Sequence, residues 1–352
     1  MRALLISNPN STSISDETMR YVVPPLLAVP GLQLLSKHTA YAGHATDMCR
    51  GLSRADYDVV IAMGGDGTVN EVVSGLLGSG PTSERPDCED LPAVAVIPSG
   101  SANVLAGALG IPRDSGAAAR LVAHLLAEEA TRTISAGRAD STWFIVNAGL
   151  GMDAEVIHNM DTLREKGVTA NPAHYGVTVL QTWRQLRGNP PQLSCRADGE
   201  VIGEGLAMAV VSNSNPWTFV DALPVVTNPH TTLDGGLGVW GLTTIGSVRG
   251  IAALVRLAGG PRSWDPLNSK KCSVATDNAS SVVLESEREL HFQVDGEAIG
   301  KRRRIEVEAV PRCIRMVAPP AQRDFAATEA KNPWWVPVTR RLRSVVGLDS
   351  SC

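Results

Sequence analysis

The run Ile61-Ala-Met-Gly-Gly-Asp-Gly-Thr-Val-Asn-Glu-Val-Val73 constrains the fold more than any other part of this chain. Tyr57–Met63 is an apolar stretch of strand length, and Val69–Leu77 carries apolar residues at helical spacing. Gly64, Gly65 and Gly67 therefore fall on a strand-to-helix turn, where backbone amides converge on a phosphate. Asp66 sits inside that turn. A carboxylate repels bare phosphate, so Asp66 makes sense beside Mg²⁺ or a proton in transit. A tight turn with no ligand is the plain alternative, and the Gly-Gly-Asp-Gly-Thr grouping weighs against it.

Around this turn, strand and helix patterns alternate over roughly the first 135 residues, which predicts a parallel sheet. Ala3–Ser7, Leu32–Ser36 and Ala93–Ile97 read as further strands, and Gly116–Glu129 as an amphipathic helix. A helix over Met19–Val29 is expected to be interrupted at Pro24-Pro25. Pro98-Ser-Gly-Ser-Ala-Asn103 is a second small-residue turn, and 78–92 reads as a surface loop.

From about Arg138 the texture changes. Short β-like runs at Thr142–Asn147, Leu193–Ala197, Ala207–Ser212, Gly238–Leu242, Val282–Glu285, Leu290–Val294 and Arg304–Glu308 predict an antiparallel second domain. Met160–Arg187 and Ser247–Leu257 are the helical exceptions. The expected divisions are 1–137 (nucleotide-binding α/β), 138–320 (β-rich) and 321–352, a basic tail with Trp334 and Trp335. That tail holds a short helical pattern with Arg340, Arg341 and Arg343 largely off its apolar face, which needs a partner surface to be stable.

The chain has 352 residues, 43% of them hydrophobic and 19% charged, with a net charge of -4. That balance argues against a general nucleic-acid binder. No apolar stretch reaches the ~18 residues of a membrane-spanning helix, and the start lacks a signal-peptide pattern. A cytoplasmic location is the expectation. Six scattered cysteines without a Cys-x-x-Cys pair read as mostly free thiols.

Gly64-Gly-Asp-Gly-Thr-Val-Asn-Glu71 followed by Pro98-Ser-Gly-Ser-Ala-Asn103 resembles the catalytic domain of diacylglycerol kinases, shared with bacterial lipid kinases and sphingosine kinases. Asn8-Pro-Asn10, Thr39 before Gly43-His44, Asn147–Ala154, Asp234-Gly-Gly-Leu237 and Val294-Asp-Gly-Glu297 continue the likeness in the family's order over about residues 1–318. The resemblance implies an amino-terminal nucleotide-binding α/β domain and a carboxy-terminal β-sandwich, with the last strand around Ile314–Val317 returning to the first domain. It implies transfer of the ATP γ-phosphoryl group to a lipid hydroxyl in the cleft between them.

Gly64, Gly65, Gly67 and Thr68 would then hold the nucleotide phosphates by backbone and hydroxyl donors, as phosphoryl transfer requires. Asn8, Thr39, Asn70 and Ser101 match family nucleotide contacts, and Asp66 would engage Mg²⁺ directly or through water. Glu297 matches the family's general base. Asp295 lies on the same side of an extended segment and would support the metal network or position Glu297. For Asp295-Gly-Glu297 a solvated hairpin turn is the plain alternative. Asp234 matches a structural Mg²⁺ position shared with the carbonyls of Thr231 and Gly236, against which stands another Asp-Gly turn.

Two positions depart from many relatives, which carry aspartates where this chain has Val104 and Ser135. They imply altered head-group chemistry, or lost catalysis in a lipid- or nucleotide-binding regulator. A soluble NAD kinase is the other alternative, since it shares the first glycine motif. The lipid substrate implies peripheral docking at a membrane surface. Lys301–Arg304 reads first as a solvated hairpin face, and its alternative, shared with the arginines of the tail, is attraction to anionic head groups. Trp217, Phe219, Leu223, Val255 and Trp264 are candidates for an acyl channel or for core. The oligomeric state is open, with a homodimer among the options.

Overall fold

Four apolar runs build the amino-terminal sheet: β1 (Arg2–Ser7), β2 (Gln33–His38), β3 (Val59–Gly64) and β4 (Ala93–Pro98). They are parallel, in the order β2-β1-β3-β4. Every residue of β3 and of β4 is buried, as expected of strands covered on both faces. The helices are α1 (Asp16–Leu27), α2 (His44–Cys49), α3 (Asp66–Leu77), α4 (Val104–Ala108) and α5 (Ser115–Ala127). This computed structural model describes all residues except 10–14, 166–171, 221–222, 246, 249, 251, 254–268 and 322–352.

The expected break at Pro24-Pro25 does not occur: both prolines lie inside α1, which Ser15 caps through the Thr18 amide. The Pro24 carbonyl still accepts from the Ala28 amide at 3.1 Å, so the helix keeps its hydrogen bonding past the prolines.

The rest of Met1–Pro319, one compact unit, is mostly antiparallel. It contains β5 (Thr131–Ala139), β6 (Thr142–Phe144), β7 (Asn147–Gly151), α6 (Met152–Glu165) and α7 (Pro172–Leu186). Next come β8 (Leu193–Ala197), β9 (Glu200–Leu206), β10 (Met208–Ser212), the small hairpin β11 (Thr218–Val220) and β12 (Leu223–Val225), and β13 (Leu237–Leu242). The unit closes with β14 (Ser273–Ala279), β15 (Ser281–Val294) and β16 (Glu297–Val317). The helix expected over Met160–Arg187 is two helices, α6 and α7. The helix expected over Ser247–Leu257, with Val255, Trp264 and the tail from 322, lies largely or wholly outside the described residues.

The fold is mixed α/β, and one sheet runs through both parts in the order β14-β13-β10-β7-β15-β16-β4-β3-β1-β2. The strand that joins them is β16. It pairs antiparallel with β15 and β5, and its Met316 pairs parallel with Val94 of β4. Accordingly the amino-terminal core gathers Leu4, Ile6, Ile61 and Val94 together with Ile314 and Met316 from the far end of the chain. A second core, with Phe144, Leu150, Phe292 and Ile305, fills the antiparallel part. Cys49, Cys88, Cys195, Cys272 and Cys313 are buried free thiols, and burial pushes those of Cys49 and Cys195 up to about 12.

Candidate active site

The predicted nucleotide residues meet at the carboxyl ends of the parallel strands, where open α/β sheets bind ligands. The Asn8 amide donates to the Met63 carbonyl at 3.2 Å, Thr39 to Ser7 at 2.9 Å and Ser99 to Gly64 at 2.9 Å. These bonds carry the parallel ladder past the strands, so the turns after β1, β2, β3 and β4 begin in register. Gly64 is packed by the Thr68 side chain, and a side-chain carbon on it would collide there. The two glycine turns touch: a side-chain carbon on Gly100 would stand 2.6 Å from the Gly65 Cα. Asn103 closes the second turn from a left-handed φ of 49°, accepting from the Gly100 amide at 3.0 Å and donating to its carbonyl at 2.7 Å. Thr68 is buried, Asn70 half-buried and Ser101 exposed. Asn70 accepts from the Ser74 hydroxyl at 3.4 Å.

Asp66 has a role that the sequence did not reveal. Its two carboxylate oxygens accept from the Val104 amide at 2.9 Å and the Leu105 amide at 3.0 Å, the first turn of α4. It thereby ties the first glycine turn to the second. Burial raises its pKa above the ordinary carboxylate range, against the pull of those amides and of Arg113. Val104, one of the departures, turns its side chain into the amino-terminal core. Ser135, the other, is buried on β5, and its carbonyl accepts from the Asn213 side chain at 2.9 Å. Glu71 was not singled out, yet it caps α2 by accepting from Gly43 at 2.8 Å and Ala45 at 3.1 Å. That holds the loop after Thr39 against α3.

The second sheet brings two carboxylates to this place. Asp295 is buried and accepts from the amides of Ile145, Val146 and Asn147, each at 2.9 Å. Those donors explain why the strand expected over Thr142–Asn147 breaks between β6 and β7. Burial raises the Asp295 pKa to about 7 despite the three amides, and the Asp66 charge adds to the rise. Asp295 and Gly296 form a left-handed turn, at φ 47° and 82°. Glu297 follows it, exposed, with its carboxylate in the space where Gly67 would carry a side chain: a carbon there would collide with Oε1 and stand 3.1 Å from Cδ. Asp66, Gly67, Asp295 and Glu297 thus come together, and Gly64, Gly65 and Thr68 flank them.

Asp234 does not join them. Its oxygens accept from Arg132 Nε at 3.0 Å and Nη2 at 2.9 Å, a bidentate ion pair. The Thr231 hydroxyl donates to Asp277 at 2.8 Å, and Gly236 lies against the backbone of Asn278. These residues do not fit a resident Mg²⁺ as arranged, because a guanidinium occupies the carboxylate face a metal would use. Among the described residues no group of three His, Cys, Asp or Glu side chains is placed to hold a metal ion. Sequence reasoning missed Arg132 as the competitor because the pair is 102 residues apart.

An open parallel sheet with small-residue turns at its carboxyl ends is thus met by a carboxylate-bearing turn of the second sheet, and the proteins this chain resembles are kinases. Residues 2–139 match the family model of the diacylglycerol kinase catalytic domain. A diacylglycerol kinase of Bacillus subtilis (strain 168) is 29% identical over 67% of this chain and 71% of its own length. One from Staphylococcus haemolyticus (strain JCSC1435) is 25% identical over 85% of this chain and 83% of its own. The crystal structure of a putative diacylglycerol kinase from Bacillus anthracis str. Sterne aligns with a TM-score of 0.67 and 25% identity, covering 91% of this chain and 98% of that one.

Proposed function

We propose that this chain is an ATP-dependent lipid kinase that transfers the γ-phosphoryl group to the hydroxyl of diacylglycerol or a related long-chain lipid. The observation that carries the reading is the place of Glu297 beside Gly67: a carboxylate from the second sheet stands over the turn suited to polyphosphate. Gly64, Gly65, Gly67 and Thr68 hold the phosphates, with Asn8, Thr39, Asn70 and Ser101 around the nucleotide. The lipid oxygen attacks the γ-phosphorus, the bond to the β–γ bridging oxygen breaks, ADP leaves, and Glu297 takes the hydroxyl proton. Asp66 and Asp295 hold the two turns in place.

Mg²⁺ neutralises phosphate charge in such reactions and enters as the companion of ATP, since it is bound through substrate phosphates with one or two carboxylates and water. Asp66 would face it only through the lone pairs that its bonds to the Val104 and Leu105 amides leave, while Asp234 is taken up by Arg132. A lipid substrate calls for a membrane surface, and we place the enzyme there as a peripheral protein of the cytoplasm; no helix among the described residues is long and apolar enough to cross a membrane. Arg304, in the basic run Lys301–Arg304, pairs with Glu306 and Glu285 on the strand surface.

The test is incubation of the purified chain with labelled ATP, Mg²⁺ and a total lipid extract, with the product identified by mass spectrometry. A labelled phosphatidic-acid-type product is expected. Labelling of NAD and of no lipid would overturn the reading in favour of a soluble nucleotide kinase.

A further inference from the structure

Gln293 on β15 is 1% exposed, yet its amide is fully engaged. Nε2 donates to Asn147 Oδ1 at 2.7 Å and to Asp153 Oδ2 at 2.9 Å, while Oε1 accepts from the Gly296 amide at 3.0 Å. One side chain therefore joins the start of β7, the first turn of α6 and the turn that precedes Glu297. Its orientation is fixed, because exchanging the amide N and O would set a donor against the Gly296 N–H. Asn147 extends the network by donating to the Trp217 carbonyl at 3.1 Å. Gly149 leaves room for it: a side-chain carbon there would stand 2.6 Å from Asp153 Oδ2 and 2.8 Å from Gln293 Nε2.

Asp295-Gly296 is the two-residue turn of the β15–β16 hairpin, in the left-handed conformation that Asp-Gly favours, so its shape is local and the tethers fix where it sits against β7 and α6. Asp295 secures one side of the turn through Ile145, Val146 and Asn147. The bond from Gly296 to Gln293 secures the other, one residue before Glu297.

We infer that Gln293 is a positioning residue, which locks the Asp295-Gly296-Glu297 turn to β7 and α6 so that the Glu297 carboxylate stays beside Gly67. The inference rests on the reading of Glu297 as the base. Without the tether the turn swings and the carboxylate moves, and a misplacement of about 1 Å costs up to roughly 100-fold in rate.

The experiment compares wild type, Gln293→Leu, Glu297→Ala and the double variant for kcat, KM(ATP) and thermal melting. Gln293→Leu is expected to lower kcat about 10- to 100-fold with KM(ATP) within about threefold, and to cost nothing further in the Glu297→Ala background. Multiplicative losses in the double variant would overturn the inference while leaving the base intact. A Glu297→Ala enzyme with wild-type transfer would sink the base itself. Should Gln293→Leu not fold, Gln293→Glu decides. Its protonated acid still donates to Asp153 and accepts from Gly296, so its kcat relative to wild type should be highest near about pH 5.5 and fall toward about pH 8. A ratio independent of pH would count as refutation.

Discussion

Gly67→Ala should separate catalysis from stability. Gly67 is the second residue of α3 and does not use a left-handed φ, so alanine suits its backbone. Alanine in a helix interior is favoured over glycine by about 0.5–1 kcal/mol, and less in the first turn. The new methyl, however, would collide with Glu297 Oε1 and crowd Cδ at 3.1 Å. Glu297 is a flexible side chain on an exposed turn, so it retreats at little cost to the fold, by about 1 Å to regain ordinary contact. A shift of that size costs up to roughly 100-fold in rate, about 2.7 kcal/mol of transition-state stabilisation. Thermal melting, ATP binding by calorimetry and turnover on lipid vesicles give the three readings. The expectation is an unchanged or slightly raised Tm, near-normal ATP affinity and a kcat lower by one to two orders of magnitude. Adding Glu297→Asp, which draws the carboxylate back by one methylene, should recover part of the loss. A folded Gly67→Ala enzyme with kcat within about threefold of wild type would refute the reasoning. So would a loss due wholly to weakened ATP binding.

Glu297→Ala should lower kcat by about 10²–10⁴-fold, to a residual rate that can still be measured, while leaving ATP affinity and Tm nearly unchanged, as the same calorimetry and melting would show. Asp295→Ala leaves the amides of Ile145, Val146 and Asn147 without their acceptor and should cost about 3–5 kcal/mol, read as a lower denaturant midpoint at constant slope. Asp153 is raised by burial to about 6 from 3.8, with the Gln293 hydrogen bond opposing. Its protonated form favours the fold below about pH 4, and that benefit is lost as pH rises through about 6. Asp153→Asn should therefore gain on wild type between those values, by up to roughly 3 kcal/mol, and a difference independent of pH would contradict this. Asp234→Asn should leave the Mg²⁺ dependence of turnover unchanged and alter stability by about 1 kcal/mol or less; a Mg²⁺ titration shifted to higher concentration would reinstate the metal there.

The legible parts of this molecule were those whose causes are local. Apolar runs ending in Asn-Pro-Asn or small-residue turns located β1, β3 and β4, and the spacing of small residues placed Gly64–Thr68 and Ser101 at the ends of the last two. The parts that escaped were set by distant partners. Nothing near Ile145 announces that its amide serves Asp295, so the strand there read as continuous. Nothing near Asp66 announces the amides of Val104 and Leu105, so its carboxylate read as a partner of Mg²⁺ or of a proton in transit and not as a tie between the two glycine turns. Asp234 read as a metal ligand for the same reason, with Arg132 far away in sequence. The long strand β16 read as fragments because four successive exposed cations, Lys301 to Arg304, hide the two-residue alternation that resumes at Ile305. Gln293 and Asp153 were missed although both stand within or beside quoted motifs, because a buried amide has no signature of its own in sequence.

The geometry of the site follows from that single strand. β16 begins at Glu297, next to the Asp295-Gly296 turn, and ends beside β4, whose next residues form the second glycine turn. Between these ends its pairing with β5 shifts register between Val310 and Ile314, where Arg312 takes a left-handed φ of 50°. Before the irregularity the strand belongs to the antiparallel core, with Ile305 and Val307; after it, Ile314 and Met316 enter the core of the parallel sheet. The distance from Glu297 to Gly67 is thus a property of one continuous sheet rather than of two bodies joined by a linker. Removing one residue between Val310 and Ile314 would turn Ile314 and Met316 out of their core, since side chains alternate with a period of two. It would cost both the fold and the approach of Glu297 to the glycine turn.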